Sequence, residues 1–402
     1  MSRMIRTHNV VIVGGGLVGA SLAIALDGLP LDVALVEASP PGELPAVFDQ
    51  RNLSLAAASV NALDALGVMR ELRAPTGPIR RIHVSRAGDF GSVRLEAADY
   101  GREAFGQVVV ARDFGEALEA RLAQLPRLVR YRPARFVGLE GDDGATRGLR
   151  LATADGELQL RARLLVAADG TRSALRDALG IAVRRHDYGQ TLFVARVRGE
   201  RAPDGTAYER FTDSGPTALL PRGDRAWGVV HGVPTAEAEA VAALDEAGWL
   251  ARIQQVFGWR AGRLLAAGER QAYPIASAVA EGLVAPRAVL LGNAAQTLHP
   301  VGAQGFNLGL RDALTLAEGL RAQAADPGDD ALLRRYAHRR GEDRERTLAF
   351  SDGLARLTGN PLPLLRPLRS LGLLAAARAG WLQAWLVGGA MGFRGDVPEL
   401  CR

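Results

Sequence analysis

Three clusters in this 402-residue chain have residue types and spacings that could do chemistry. The first is Gly14-x-Gly16-x-x-Gly19, with Glu37 placed 18 residues beyond its last glycine. The first glycine allows a tight turn, the second lets backbone approach a pyrophosphate, and the third lets a helix pack on a strand. The pyrophosphate then rests at the positive end of the helix, and an acid at the next strand end accepts bonds from an adenosine ribose. This pattern points to one tightly held dinucleotide and leaves open whether it is FAD or NAD. The second cluster is an apolar run ending in Asp169-Gly170, followed by Thr171-Arg172-Ser173 and a helix start. The third runs from Gly292-Asn293 through His299-Pro300 to Gln304-Gly305-Phe306-Asn307. Backbone N–H groups in such a glycine-rich loop and helix start can hydrogen-bond an electron-rich ring.

The elements that must position these clusters read as two kinds of sheet. Residues 10–13 are a β-branched run feeding the glycine turn, 20–26 read as helix, and 32–36 as a second buried strand. Strand, turn, helix and strand in that order make a βαβ unit with a parallel pair. Residues 164–168 and 288–292 are further apolar runs of the parallel type. Residues 79–97 and 181–233 have the short alternating strands and glycine turns of antiparallel sheet. A single helix is expected over 236–256, and helical patterns dominate after Asn307, broken by Pro361, Pro363 and Pro367. The expected fold is α/β: a Rossmann-like domain with a parallel sheet, interleaved with an antiparallel-sheet substrate domain, plus C-terminal helices. The expected boundaries are 1–75, 107–180 and 286–355 for the first domain, 76–106 and 181–285 for the second, and 356–402 for the helices.

Composition removes several classes of chemistry. All 49 basic residues are Arg, so a P-loop, which needs Gly-Lys, is excluded, and so is Schiff-base catalysis. The single cysteine, Cys401, excludes a disulfide framework or CxxC pair, and the six His are too scattered for a local zinc motif. No metal is expected. Net charge is only +5, and Arg is interleaved with acids, as in residues 339–346. That run reads as a solvated helix face, and no nucleic-acid partner is expected. The N-terminal MSRMIRTHN has no signal-peptide pattern, so a cytoplasmic location is expected.

Taken together, the three clusters resemble the class A flavoprotein monooxygenases, whose type member is p-hydroxybenzoate hydroxylase. GxGxxG, strand-Asp-Gly-helix and the 292–313 loop occur here in the family's order, over residues 10 to about 317. Gln107 and Arg112 resemble the family's flavin-contacting Gln and its Arg, and Asp49-Gln50-Arg51 matches an Arg near the FAD pyrophosphate. Asn293 and Gln296 stand where the family usually has Asp and His, and Ala303 where it usually has Gly. That variant, with residues 208–221 and 257–260, resembles the ubiquinone-biosynthesis branch, nearest to the 2-polyprenyl-6-methoxyphenol hydroxylases.

The resemblance implies that the parallel-sheet domain binds FAD, through Gly14, Gly16, Gly19, Glu37, Arg51, Gln107, Arg112, Asp169, Asn293, Gln304, Gly305 and Asn307. NAD(P)H serves as the transient reductant, and a flavin C4a-hydroperoxide formed with O2 hydroxylates a polyprenyl phenol. Pro300 would shape the turn facing the flavin. His299, Tyr188 and Tyr273 are the candidates to accept the phenol proton, and each also reads as a packing residue. A polyprenyl substrate implies peripheral contact with the inner membrane and partners in a ubiquinone-biosynthesis complex. The apolar stretch 370–393 is too short in charge-free length to span a bilayer. With Trp381 and Trp385 on one helical face, it reads equally as an interface helix or one packed on the body. Alternative readings are a prenyl reductase, a hydroxylase of a soluble aromatic, or a flavin-holding assembly component with little turnover.

Overall fold

The computed structural model describes residues 5–89, 91–359 and 378–402. Among these residues the strands form three sheets. In the first, the strand Arg6–Val13 lies between Val33–Val36 and Gly156–Ala167, parallel to both. Ala288–Leu290 extends it beyond Gly156–Ala167, and Val129–Tyr131 extends it beyond Val33–Val36, again in parallel. Val10, Val11, Ile12, Ala34 and residues 164–167 are fully buried, as strands covered on both faces must be. An antiparallel hairpin, Arg147–Thr153 returning as Gly156–Ala167, turns at Asp155-Gly156, where Gly156 has φ +105°.

The second sheet has nine strands built on the long Val183–Gly199. One side continues through Trp227–Pro234, Pro216–Pro221, Thr206–Phe211, Arg81–Arg86 and Ser92–Glu96. The other begins with Gln271–Ala280. Strands from residues 81–96 therefore sit beside 206–211, so the chain leaves the parallel sheet, visits the second sheet, and returns. The interleaving read from the alternating textures is present. The third sheet is small: Asn52–Ala56, Gly106–Val110 and Gly77–Pro78.

The glycine-turn helix, Leu17–Ala25, packs on the helix Gln304–Ala322 where side chains are absent. A Cβ added at Gly292 or Gly309 would lie 2.8 Å from Val18 Cγ2. The expected helix over 236–256 is two helices, Ala238–Ala242 and Glu246–Phe257. The break is local: Asp245 accepts the Gly248 N–H at 2.7 Å and caps the second helix.

The reading of residues 339–346 as a solvated face requires correction. Arg340 is 0% exposed, and its Nε donates to Asp312 Oδ1 at 2.7 Å. Arg311 and Arg340 both pair with Asp343 at 2.7 Å. Although burial opposes it, these two guanidinium groups hold the Asp343 carboxyl at about 2. Arg340, Asp343, Arg344 and Thr347 recur at helical spacing and face inward because Asp312, on the other helix, waits there.

The C-terminal helix described is Gly380–Ala390. The first eight residues of the apolar stretch 370–393, residues 370–377, lie outside the described residues, as do the side chains of Trp381 and Trp385. No helix among the described residues is long and apolar enough to cross a membrane.

Candidate active site

The glycine turn works by closeness. Gly14 has φ +108°, and a Cβ there would lie 2.4 Å from the Ala168 carbonyl oxygen. At Gly19 a Cβ would lie 1.9 Å from the Gly14 oxygen. Gly16 differs: a Cβ there meets only Val47 Cγ1, at 3.5 Å. The helix it opens has no side-chain cap and no acid in its first turn. Open space before an uncapped, positive helix end fits a pyrophosphate. Glu37, at the end of Val33–Val36, accepts the Gly15 N–H at 2.8 Å and the Ser39 N–H at 2.7 Å. It is thereby held beside the turn.

The rim of this opening comes from distant segments. Arg51 donates through Nε to Asp49 at 2.9 Å and through Nη2 to the Val47 carbonyl at 3.2 Å, next to Gly16. The Arg112 N–H donates to the Asp49 carbonyl at 2.8 Å, which brings both Arg segments together. The Arg112 side chain, 60% exposed, pairs with Glu116 on its own helix. Asp169 follows the strand Gly156–Ala167 and accepts from the Ser173 hydroxyl and the Leu175 N–H. Its carboxylate therefore organises the short helix Ala174–Ala178 that Ser173 caps. Asn293 lies exposed just after Ala288–Leu290. Glu37, Asp169 and Asn293 thus all follow carboxyl ends of parallel strands, where α/β folds bind ligands.

The 299–307 loop is tied to the third sheet. Asn307 accepts the Ala56 N–H at 2.9 Å and donates to Ser54 and Ala303 carbonyls at 3.0 and 2.8 Å. Leu55 pairs with Gln107 across that sheet, so Gln107 is brought near, its amide oxygen accepting from Thr76 at 3.0 Å. Gln304 donates to the Gly302 carbonyl at 3.0 Å, and Gly305 has open space around its Cα. Ala303 adopts φ +51° at the helix start, after Gly302 at +76°, and the Ala303 N–H donates back to Pro300. A non-glycine residue in this region stores about 1 kcal/mol or more of strain, and Asn307 helps hold it there.

Pro300 is exposed on the turn, whereas His299 is buried behind it. His299 Nδ1 accepts the Val301 N–H at 3.2 Å, which leaves Nε2–H directed at Gln190 Oε1, 3.5 Å away. Its ring packs edge-on against Tyr188 at 4.7 Å. Burial pushes His299 down to about 4, against the opposing pull of Asp352. A neutral His with both nitrogens engaged supports the turn. The Tyr188 hydroxyl donates to Asp352 at 3.3 Å and the Tyr273 hydroxyl to Asp49 at 2.7 Å. Tyr273 is raised well above its ordinary value, first by burial and then by Asp49.

Sequence reasoning did not single out Arg176, which is fully buried. It donates to the Thr171 and Ala294 carbonyls at 3.2 and 3.1 Å, locking the Asp169 turn to the Asn293 segment. Gln296, where the family usually has His, donates to Asp312 at 2.7 Å and accepts from Arg344 at 2.9 Å. Among the described residues, no group of acids, His and Cys could hold a metal ion.

A family profile described as an FAD binding domain matches residues 7–351. The chain belongs to this FAD-binding family. Relatives include ubiquinone hydroxylase UbiL of Rhodospirillum rubrum, 36% identical over 399 residues, covering 98% of this chain and 92% of the relative. The 3-demethoxyubiquinol 3-hydroxylase of Escherichia coli is 32% identical over 391 residues, covering 95% of this chain and 98% of that one. The fold is shared with p-nitrophenol 4-monooxygenase PnpA of Pseudomonas putida, TM-score 0.79 at 19% identity, covering 97% of this chain and 100% of that one. The protein is an FAD-dependent monooxygenase, with NAD(P)H as the reductant usual in the family, and the class A resemblance is borne out.

This flavoprotein should lose stability in mild acid. His299, His231 and His83 are each held at about 4, chiefly by burial, with Arg252 adding to His231 and Arg260 to His83. The unfolded chain takes up protons below about 6.5 while the folded chain does not, so stability falls between pH 6.5 and about 4. Each His contributes on the order of 3 kcal/mol of loss across that window. Thermal melts across this range should show a falling Tm, and a flat profile would contradict the buried, neutral state of these rings.

Proposed function

We propose that this enzyme hydroxylates the aromatic ring of a polyprenyl phenol in ubiquinone biosynthesis. The observation that carries the reading is a largely apolar sheet face that the third sheet links to the loop 299–307, in a chain similar over its length to ubiquinone hydroxylases. Val84, Ala207, Phe211, Ala218 and Val230 lie on that face of the nine-stranded sheet, with Glu209 and Arg86 among them. Such a floor accepts a prenylated ring and keeps water out. In this reading residues 76–106 and 181–285 form the substrate side, and the interleaved parallel-sheet segments hold the cofactor.

Bound FAD, reduced by NAD(P)H, supplies the oxygen-transfer chemistry with O2. The chain's own work is position and electrostatics. The N–H groups opened by Gly16 receive the pyrophosphate, with Gly14 and Gly19 holding the turn and Arg51 and Arg112 adding positive charge. Glu37 would accept from the ribose, while Asn293 and Gln107 would hold the ribityl chain and ring. Gln304, Gly305 and Asn307 hold the loop whose N–H groups would be offered to the ring, and Pro300 would set the turn that His299 braces. Asp169 holds the helix beside the Asn293 segment.

Deletion of the gene, with mass analysis of lipid quinone precursors, tests the reading. Loss of ubiquinone with accumulation of an under-hydroxylated polyprenyl phenol is expected. Normal ubiquinone with no accumulated phenol overturns the substrate assignment.

A further inference from the structure

We propose that the Glu209 carboxylate takes the hydroxyl proton of the phenolic substrate and so activates its ring. This assignment rests on the hydroxylase reading above. Glu209 lies on the strand Thr206–Phe211, where side chains alternate between faces. Tyr208 packs against Phe257 at 5.4 Å, and Arg210 donates to the Val256 carbonyl at 2.9 Å, so both face the helix Glu246–Phe257. Ala207, Glu209 and Phe211 therefore face the other way. Ala207 is buried there with Val108, Val387 and Met391, from the third sheet and the C-terminal helix.

Register carries the placement further. Glu209 pairs with Val84 on one side and Ala218 on the other, and Ala218 pairs with Val230. Two residues from Val230, Gly228 lies so close to Asn52 that an added Cβ would come 2.2 Å from Asn52 Nδ2. Asn52 begins the strand whose Ser54 and Ala56 hold Asn307. A single line of contacts thus runs from the 299–307 loop, across the third sheet, to the row of strands that carries Glu209.

The surroundings of this carboxylate are apolar. Its cross-strand neighbours are Val84 and Ala218, and its neighbours along the same face are Ala207 and Phe211. Among the described residues it has no hydrogen-bond or ion-pair partner, although it is half-buried. Burial alone lifts its carboxyl to about 7. The elements opposite, Asn52–Ala56, Gly106–Val110 and Gly380–Ala390, contain no ionisable residue. Charged and titratable groups on or beside that face have partners of their own. Arg86, two residues along from Val84, pairs with Asp213, Arg102 lies over the Phe393 ring at 4.5 Å, and His299 meets Val301 and Gln190. His299, Tyr188 and Tyr273 are all engaged, whereas Glu209, among the described residues of this sheet face, is an acid–base group without a hydrogen-bond or ion-pair partner.

In the step it performs, the phenol O–H bond breaks and the proton moves to a Glu209 oxygen. The electron pair stays on the phenolate oxygen and raises electron density at the ring carbons ortho and para to it. Those carbons are thereby better nucleophiles toward the oxygen that the FAD, NAD(P)H and O2 chemistry delivers. A base whose pKa lies near the working pH is suited to this task.

The test uses purified, FAD-loaded enzyme and a phenol bearing a short isoprenoid chain, with kcat/KM followed from acid to alkaline pH. Wild-type hydroxylation should fall on the acid side with a midpoint near 7. Glu209→Gln should keep its flavin spectrum, lose about 100-fold or more in kcat, and lose the acid limb. A Gln variant with the wild-type rate and limb overturns the assignment. Should that variant fail to retain FAD, Glu209→Asp decides: a displaced acid limb supports the assignment, and an unmoved limb overturns it. A wild-type enzyme that leaves the prenylphenol unhydroxylated overturns the substrate reading first and this assignment with it.

Discussion

Gly16→Ala is expected to fold as wild type and bind FAD more weakly, whereas Gly19→Ala is expected to yield no folded flavoprotein. The contrast follows from what an added methyl group meets. At Gly19 it would sit 1.9 Å from the Gly14 carbonyl oxygen and 3.2 Å from Ala168 Cβ. Both neighbours are fixed by the parallel sheet, so neither can withdraw. The cost exceeds the roughly 1–3 kcal/mol of ordinary overpacking, because the strand and helix must separate. At Gly16 the methyl group meets only Val47 Cγ1 at 3.5 Å, an ordinary contact. It projects instead into the space that a pyrophosphate would enter, and about tenfold or more weaker FAD binding (~1.4 kcal/mol) is expected. Flavin absorbance of the purified variants, read beside circular dichroism, checks both. A Gly16→Ala protein with full flavin content would move the pyrophosphate away from this helix end.

Asp312→Ala is expected to cost about 3–5 kcal/mol of folding stability. Asp312, only 2% exposed, accepts from Arg340 Nε and from Gln296 Nε2, each at 2.7 Å. Removing it leaves a guanidinium in the interior with Asp343 as its remaining anion, and Asp343 is already shared with Arg311. A buried charge that loses its partner costs far more than the pair contributes, so Asp312→Leu combined with Arg340→Met should be milder than Asp312→Ala alone. Urea denaturation of the three proteins tests this, and a double variant no more stable than the single would show that the charges themselves are needed. The consequence reaches the candidate active site. Gln296 connects this network to the segment that carries Asn293 and His299, so the single variant should also release FAD more readily.

Much of the fold was legible because its signals are local. A β-branched run, a glycine turn and a helix start specify backbone conformation within a few residues, and the alternation of parallel and antiparallel textures showed that the sheets interleave. The helix over 236–256 was misread because apolar periodicity continues through Asp245, while the side-chain cap that divides it costs only one hydrogen bond. The Arg-rich run 339–346 was misread for a different reason. Its composition is that of a solvated face, and nothing in the run itself announces Asp312 on another helix.

The candidate site divides in the same way. By itself the sequence determined the dinucleotide chemistry, since Gly14, Gly16 and Gly19 act through their own backbone and the helix that follows. It also determined that Lys chemistry, a disulfide framework and a CxxC pair are absent. Tertiary structure alone decided which polar side chains are already engaged. Val301 and Gln190 meet the two nitrogens of His299, and Ser173 and Leu175 reach the Asp169 carboxylate. Only strand register set Glu209 between Val84 and Ala218, on the face opposite Tyr208. A side chain's chemistry depends on whether water, a partner or an apolar wall surrounds it, and those neighbours come from residues more than a hundred positions away as often as from the same strand.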